Sequence, residues 1–258
     1  MDRKTVPRGA RRNALGNTVG ARRTEKLSEA LAREIVRDVR DLPPSTMLPS
    51  EAIMLEKYGV GRASLREALR LLEVQGLIVI RPGPGGGPMV AQVDNVHYGR
   101  ISSLYYHMSG ATYSDVADAR SEMEPVIARI IAERGDADTR ATLQEWLDKH
   151  ASFDAETDYE HFVEDSTGFH AMLVGMSGNP VLNLAAGSLQ EVLLDRTRGL
   201  LPPDERLKIE RDHVAIAKAI IKGDATRAER LMRTHMIDRL RYSKERYPGV
   251  LEETVDWR

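Results

Sequence analysis

Apolar residues recur along most of the 258-residue chain at spacings of three and four, as in helices that bury one face. Leu27, Leu31, Ile35 and Val39 form such a stripe over residues 24–40, with Thr24 placed to cap its start and Pro43-Pro44 to end it. Ala52, Ile53 and Leu55 mark a shorter segment from Ser50 to Lys57. Beyond the turn Tyr58-Gly59-Val60-Gly61, Leu65, Leu69 and Leu72 set another buried face, and Arg62, Ser64, Arg66, Glu67 and Arg70 fall largely off it. Gly59 supplies the positive φ that a tight helix-to-helix turn often needs. The period then changes. Leu77-Ile78-Val79-Ile80 is a β-branched run, followed by a Gly/Pro-rich stretch and Met89-Val90-Ala91, which predicts a small hairpin with a loose tip. Thr46-Met47-Leu48 is expected to pair with it as a short strand.

Further on, Val96, Tyr98, Ile101, Leu104, Tyr105 and Met108 predict a short helix within 92–112, ended by Ser109-Gly110. Helical patterning then runs to about Tyr242, with helices near 113–134, 136–156, 158–177, 179–200, 204–222 and 225–243. Breaks fall at Gly135-Asp136, Gly178-Asn179-Pro180, Pro202-Pro203 and Gly223-Asp224. Connections this short imply an antiparallel bundle. The expected fold is mainly α: an N-terminal winged helix-turn-helix with a small β-wing, then a C-terminal all-α antiparallel helical bundle. The expected divisions are an arm (1–23), the winged domain (24–91), a linker helix (92–112), the helical domain (113–243) and a C-terminal tail (244–258), polar and loosely held from Pro248 on.

Charge sharpens this division. Residues 1–91 hold 16 Lys/Arg against 10 Asp/Glu, whereas residues 92–258 hold 21 against 29. A basic front half suits a phosphate-binding module, and an acidic back half repels nucleic acid. Much of the excess sits in residues 1–23, whose Pro and Gly content makes a poor helix. It is expected to be a flexible arm, either a solvated tail or a contact to phosphate or the minor groove. The chain has no cysteine, which excludes disulfides and thiolate chemistry. No apolar run approaches the roughly 20 residues of a membrane span, and no signal-peptide stretch opens the chain, so a cytoplasmic protein is expected.

Two helices, a turn and a hairpin also describe an αα-hairpin with no tie to DNA. Here the residues carry more. LPSE, YGV, RASLREAL and LLEVQGL followed by a glycine-rich tip, over residues 24–91, resemble the DNA-binding domain of GntR-family bacterial repressors. The resemblance implies DNA contacts from Arg62, Ala63, Ser64 and Arg66 on the second reader helix and from Arg81, Pro82 and Gly83 at the wing tip. Arg62 and Arg66, four apart, share a face, and Arg reads guanine through O6 and N7. Ser64 can donate to a phosphate, and Gly83 allows close backbone approach. One position departs from the family: Ala52 stands where Arg is frequent, so an operator different from the usual one is expected.

In the back half, His213 lies 10 residues before Gly223 and His235 lies 12 after it, so helices folding back there bring both rings to one depth. His213 shares its face with Ile209, Ile216, Ala217 and Ile220, and His170 shares its face with Val163, Leu173 and Val174. Three imidazoles are thus expected inside the bundle, where bundles build metal and ligand sites. Asp118-Ala119-Arg120 with Glu124-Pro125, Phe169-His170, Ser177-Gly178-Asn179-Pro180, His213 with Ala219 and Gly223-Asp224, and His235 resemble the effector domain (FCD-type) of the FadR subfamily over residues 98–242. The resemblance implies that His170, His213 and His235 are metal ligands. In metal-binding members an Asp precedes the first His by one turn. Here that position is Ser166, and Asp165 beside it is rotated about 100° away. Either the three histidines hold a divalent ion, zinc for preference, completed by water or an effector carboxylate, or the metal is gone and a polar pocket remains. Arg120 matches a family position expected to clamp an acidic effector, unless it only pairs with Glu124 one turn away.

The expected effector site is therefore Arg120, Ser166, His170, His213 and His235. The expected protein is a homodimeric regulator, a repressor, that binds a near-palindromic double-stranded operator and senses a small acidic metabolite. Two alternatives stay open: a metal-dependent hydrolase-like enzyme using the three histidines, and an architectural DNA binder whose bundle only dimerises.

Overall fold

The computed structural model describes residues 26–150, 159–197 and 205–257. The described residues form two compact units, divided between Val93 and Asp94. The N-terminal arm, the Thr24 cap and the last residues expected of the helix 136–156 lie outside the described residues.

In the first unit, α1 (Leu27–Val39) packs against α3 (Arg62–Val74), and α2 (Glu51–Tyr58) precedes the turn into α3. Leu31, Ile35, Leu65, Ala68 and Leu72 are essentially inaccessible, while Leu27, at the start of the α1 stripe, is 49% exposed. Gly59 ends α2 in the left-handed conformation, φ 62°, and its N–H bonds the Leu55 carbonyl. Without a Cβ it takes this backbone at no steric cost. The hairpin pairs β1 (Ile78–Arg81) with β2 (Gly87–Val90) antiparallel, in a register from Ile78 opposite Val90 to Arg81 opposite Gly87. Residues 46–48 join it through a single bridge, Met47 to Met89, with Leu48 N–H donating to Pro88 O at 2.8 Å. At the tip, Gly86 N–H bonds Gly83 O at 2.9 Å, and a Cβ on Gly86 would fall 2.2 Å from the Arg81 carbonyl oxygen. Only glycine closes this turn.

The second unit is helical: α4 (Asn95–Ser109), α5 (Tyr113–Arg134), α6 (Ala137–Lys149), α7 (Tyr159–Gly175), α8 (Pro180–Thr197), α9 (Arg206–Ile221), α10 (Ala225–Arg246) and a single turn, α11 (Pro248–Leu251). Capping is local and strong. Thr112 and Asp115 form a reciprocal capping box at α5, and Asp136 and Asp224 cap α6 and α10 with their side chains. The main core gathers Ile127 and Ile131 of α5, Phe169 and Leu173 of α7, Ile216 and Ile220 of α9, and Met232 of α10. Burying each such side chain contributes about 1.5–3 kcal/mol. α4 packs on α8 through a face of small residues, Gly99, Ser102 and Ser103.

The C-terminal segment corrects one expectation. It is not loosely held. Leu251 and Val255 are buried with Tyr113, Val116, Leu189 and Val192, Val255 N–H donates to Ala111 O at 2.9 Å, and Tyr113 N–H donates to Glu253 O at 3.1 Å. The segment is polar on average, yet its two buried apolar residues lie four apart and meet a ready apolar surface on α5 and α8.

Candidate functional site

On α3, Leu65, Ala68, Leu69 and Leu72 are buried, and Arg62, Ala63, Arg66 and Glu67 face solvent with Ser64 half-buried. Both arginines stand in the first turns and lean on Glu51 of α2. Arg62 Nε lies 3.6 Å from Glu51 Oε1, and Arg66 Nη2 lies 3.5 Å from Oε2. These pairs are long and exposed, so they hold the side chains weakly and yield readily to a phosphate or a base edge. At the wing, Arg81 and Gly83 are exposed, and Gly83 has φ 95°, a conformation that disfavours any side chain. Ala52 is exposed on α2 and offers nothing to an acceptor.

In the bundle the structure brings His170 of α7, His213 of α9 and His235 of α10 together. One nitrogen of each ring lies within 4.8 Å of the others, and all three residues are buried. His213 Nε2 is 3.2 Å from His235 Nε2, which is 3.3 Å from His170 Nε2. The outer nitrogens are treated differently. His170 Nδ1 hydrogen-bonds Glu124 Oε2, and His235 Nδ1 lies 3.4 Å from Asp212 Oδ2. His213 Nδ1 is buried with no partner, and its ring stacks on Phe169, centroids 4.3 Å apart. A neutral ring that gives its Nδ1 proton to a carboxylate presents a bare lone pair at Nε2. With neutral rings, His170 and His235 would turn Nε2 lone pairs toward each other.

The electrostatics favour neutral rings at His213 and His235. Burial and the neighbouring imidazoles push His213 well below the usual histidine range. Burial also pulls His235 down to about 4, outweighing the support of Asp212. Burial would raise Glu124, but Arg120 and His170 overcome it and hold the carboxyl at about 2. Arg120 grips Glu124 Oε1 through Nε at 2.8 Å and Nη2 at 2.5 Å. Of the two roles weighed for Arg120, the pair with Glu124 is present, and the residue also lines a cavity of about 130 Å³ beside the histidines. Ser166, His170, Gln190, His235 and Arg239 share that lining, and His213 does not. Asp165 turns away from the cluster, toward His150 at 3.5 Å and His161 at 3.3 Å.

Sequence reasoning missed three contributors. Asp212 is adjacent to His213 but serves His235 on the next helix. Gln190 belongs to α8, which carries no histidine of the cluster. Arg239 is one turn beyond His235 on α10, and that i+4 spacing was the available signal.

The model for the bacterial regulatory proteins of the gntR family matches residues 25–86, and the FCD domain model matches residues 115–238. The HTH-type transcriptional repressor NanR of Cronobacter sakazakii is 27% identical over 239 residues, covering 87% of this chain and 88% of its own. The uncharacterized HTH-type transcriptional regulator YieP of Escherichia coli is 28% identical over 206 residues, 78% of this chain and 87% of its own. A solved structure, Streptococcus agalactiae GntR, aligns with a TM-score of 0.65 and 24% identity over 83% of this chain and 99% of that one, a likeness of fold. Among the described residues no helix is long and apolar enough to cross a membrane. With a winged reader at its front and an FCD domain behind it, the chain belongs to the GntR family of bacterial transcriptional regulators, which are DNA-binding proteins and not enzymes.

Proposed function

We propose that this protein is a FadR-subfamily repressor that binds a near-palindromic operator as a homodimer, and whose bundle holds one divalent metal and a small carboxylate-bearing metabolite. The observation that carries the metal is the meeting of three Nε2 atoms. A zinc ion at about 2.0–2.1 Å from tetrahedral nitrogens sets those nitrogens about 3.3–3.4 Å apart. Two of the three separations, 3.2 and 3.3 Å, fit, and the ligand atoms of the third pair lie within 4.8 Å. Two carboxylates, Glu124 and Asp212, hold the outer nitrogens of two ligands, the usual support for metal-bound imidazole. Bound there, zinc would supply a Lewis-acidic position facing an effector oxygen.

For the reader, Arg62 and Arg66 supply base contacts, Ser64 and the wing residues Arg81 and Gly83 approach phosphate, and Ala63 packs close to the groove. One reader helix spans only a few base pairs, so two copies on a symmetric site are expected. Effector and operator affinities are then coupled, each changing the other by the same factor. A bundle that served only to dimerise would not need a cavity that gathers Ser166, His170, Gln190, His235 and Arg239 in its lining.

The test is a metal titration of the chelated wild type and of His213→Ala, followed by footprinting. One ion per chain in the wild type, lost in the variant, supports the site. Equal and negligible binding by both removes the metal and leaves a polar effector cavity. Protection of one asymmetric half-site, with a monomeric mass in solution, removes the dimer.

A further inference from the structure

Among the described residues six buried side-chain nitrogen or oxygen atoms lack a hydrogen-bond partner, and three of them belong to residues lining the cavity beside the histidines. They are Nε and Nη1 of Arg239 and Oε1 of Gln190. Buried polar atoms are rarely left unpaired, so their gathering at one cavity describes what is to fill it. The rest of each side chain is already fixed. Arg239 Nη2 pairs with Glu205, and the guanidinium carbon lies 5.4 Å from the Tyr242 ring centroid. Gln190 Nε2 donates to Thr167 O at 2.8 Å. Flipping this amide would set two acceptors against each other, so Oε1 stays open toward a donor.

Two unpaired nitrogens of a guanidinium call for a negatively charged oxygen, and an unpaired carbonyl oxygen calls for a hydroxyl or amine proton. His235 and Arg239 lie four residues apart on one face of α10, about 6 Å along its axis. The cavity is small, about 130 Å³. We propose that its ligand is a short hydroxylated carboxylate, whose carboxylate accepts from Arg239 and whose hydroxyl donates to Gln190 Oε1. This inference rests on the cavity being the effector site, and it names the class of effector and two residues that select it. A site built to bond a hydroxyl rejects the analogue lacking it, because its own polar atom is then stranded.

Small probes test this without knowledge of the full effector. Calorimetry and thermal unfolding of the metal-loaded full chain are run with glycerate, acetate, ethylene glycol and inorganic phosphate. Glycerate is expected to bind at least about tenfold more tightly than acetate, and ethylene glycol not at all. Gln190→Leu should abolish the preference for glycerate over acetate, and Arg239→Lys should weaken both, since lysine offers a point charge instead of the guanidinium fork. Equal affinity for glycerate and acetate, or no binding of either, overturns the proposal, as does phosphate binding as tightly as glycerate. The glycerate–acetate comparison uses only the wild type, so misfolding of a variant does not blunt it. Metal stoichiometry in the same samples separates the outcomes. Intact metal binding without glycerate preference fells this inference alone, whereas absent metal fells the histidine site.

Discussion

His213 Nε2 and His235 Nε2 stand 3.2 Å apart in the bundle interior, although 22 residues of two helices separate them. Helices α9 and α10 fold back at Gly223, so positions roughly equidistant from the turn meet. Burial disfavours a proton on either of these two imidazoles, and a third from α7 meets them there.

That arrangement sets an acid limit for the metal-free protein. His235 falls to about 4 in the folded state from an ordinary value of 6.5. Above pH 6.5 the ring is neutral in both states and stability does not depend on it. Between 6.5 and 4 the unfolded chain takes up a proton that the folded chain refuses, so stability drops as pH falls, by up to about 3 kcal/mol. Urea unfolding of chelated protein at pH 7.5 and pH 5 reads this directly. A flat profile for the wild type would show that the ring is not depressed. With metal bound, the loss should appear as release of the ion below about pH 6, since imidazole coordinates only when neutral.

Ser166 lies one turn before His170, is buried, and lines the same cavity. Replacing it by Asp, Ser166→Asp, adds an anionic oxygen on the ligand face of α7. The expected result is metal affinity raised about tenfold or more in a chelator competition, with effector affinity lowered because the carboxylate occupies its position. Unchanged metal affinity would mean that position 166 does not face the ion.

Much of this was legible in the chain. The α3 stripe of Leu65, Leu69 and Leu72 and the spacings of His213 and His235 about Gly223 are periodic features, and periodicity survives translation into structure. Asp212 was not legible. Its neighbour in sequence is His213, but a helix turns about 100° per residue, so it faces a different partner on α10. Arg239 and Gln190 matter through atoms left without partners, which depend on rotamers that no pattern encodes. The tail failed for another reason: Glu252, Glu253 and Asp256 dominate its composition, while burial of Leu251 and Val255 is decided by the surface they meet.

Glu210 offers a test independent of the metal. It is buried on α9, its Oε1 lacks a partner, and burial, with Asp165 opposing His150, raises it to about 7 from 4.5. The folded state holds its proton between pH 4.5 and 7, so its contribution is complete below 4.5 and lost as pH rises through 7. Glu210→Gln should therefore be near neutral at pH 4.5 and stabilising by about 1–2 kcal/mol at pH 8, after allowing for partial solvent screening. Denaturant midpoints at the two pH values decide it, and a variant less stable at pH 8 would show that the charged carboxylate is held by bonds worth more than its burial costs.

The reader makes the last prediction. Arg62 and Arg66 occupy the start of α3, are exposed, and share Glu51 as their only intramolecular counter-charge within 4 Å among the described residues. Such pairs cost little to break, so both guanidinium groups are available to DNA. Arg66→Ala should weaken operator binding by about 1–3 kcal/mol and relax base preference at one position of each half-site. A residue that touched only phosphate would instead weaken all sequences alike and flatten the salt dependence. Glu51→Gln removes the competing carboxylate and should leave operator affinity unchanged or slightly higher. Binding selections on randomised half-sites at two salt concentrations separate these cases. If Arg62→Ala and Arg66→Ala each retain full operator affinity, α3 is not the element that reads the bases.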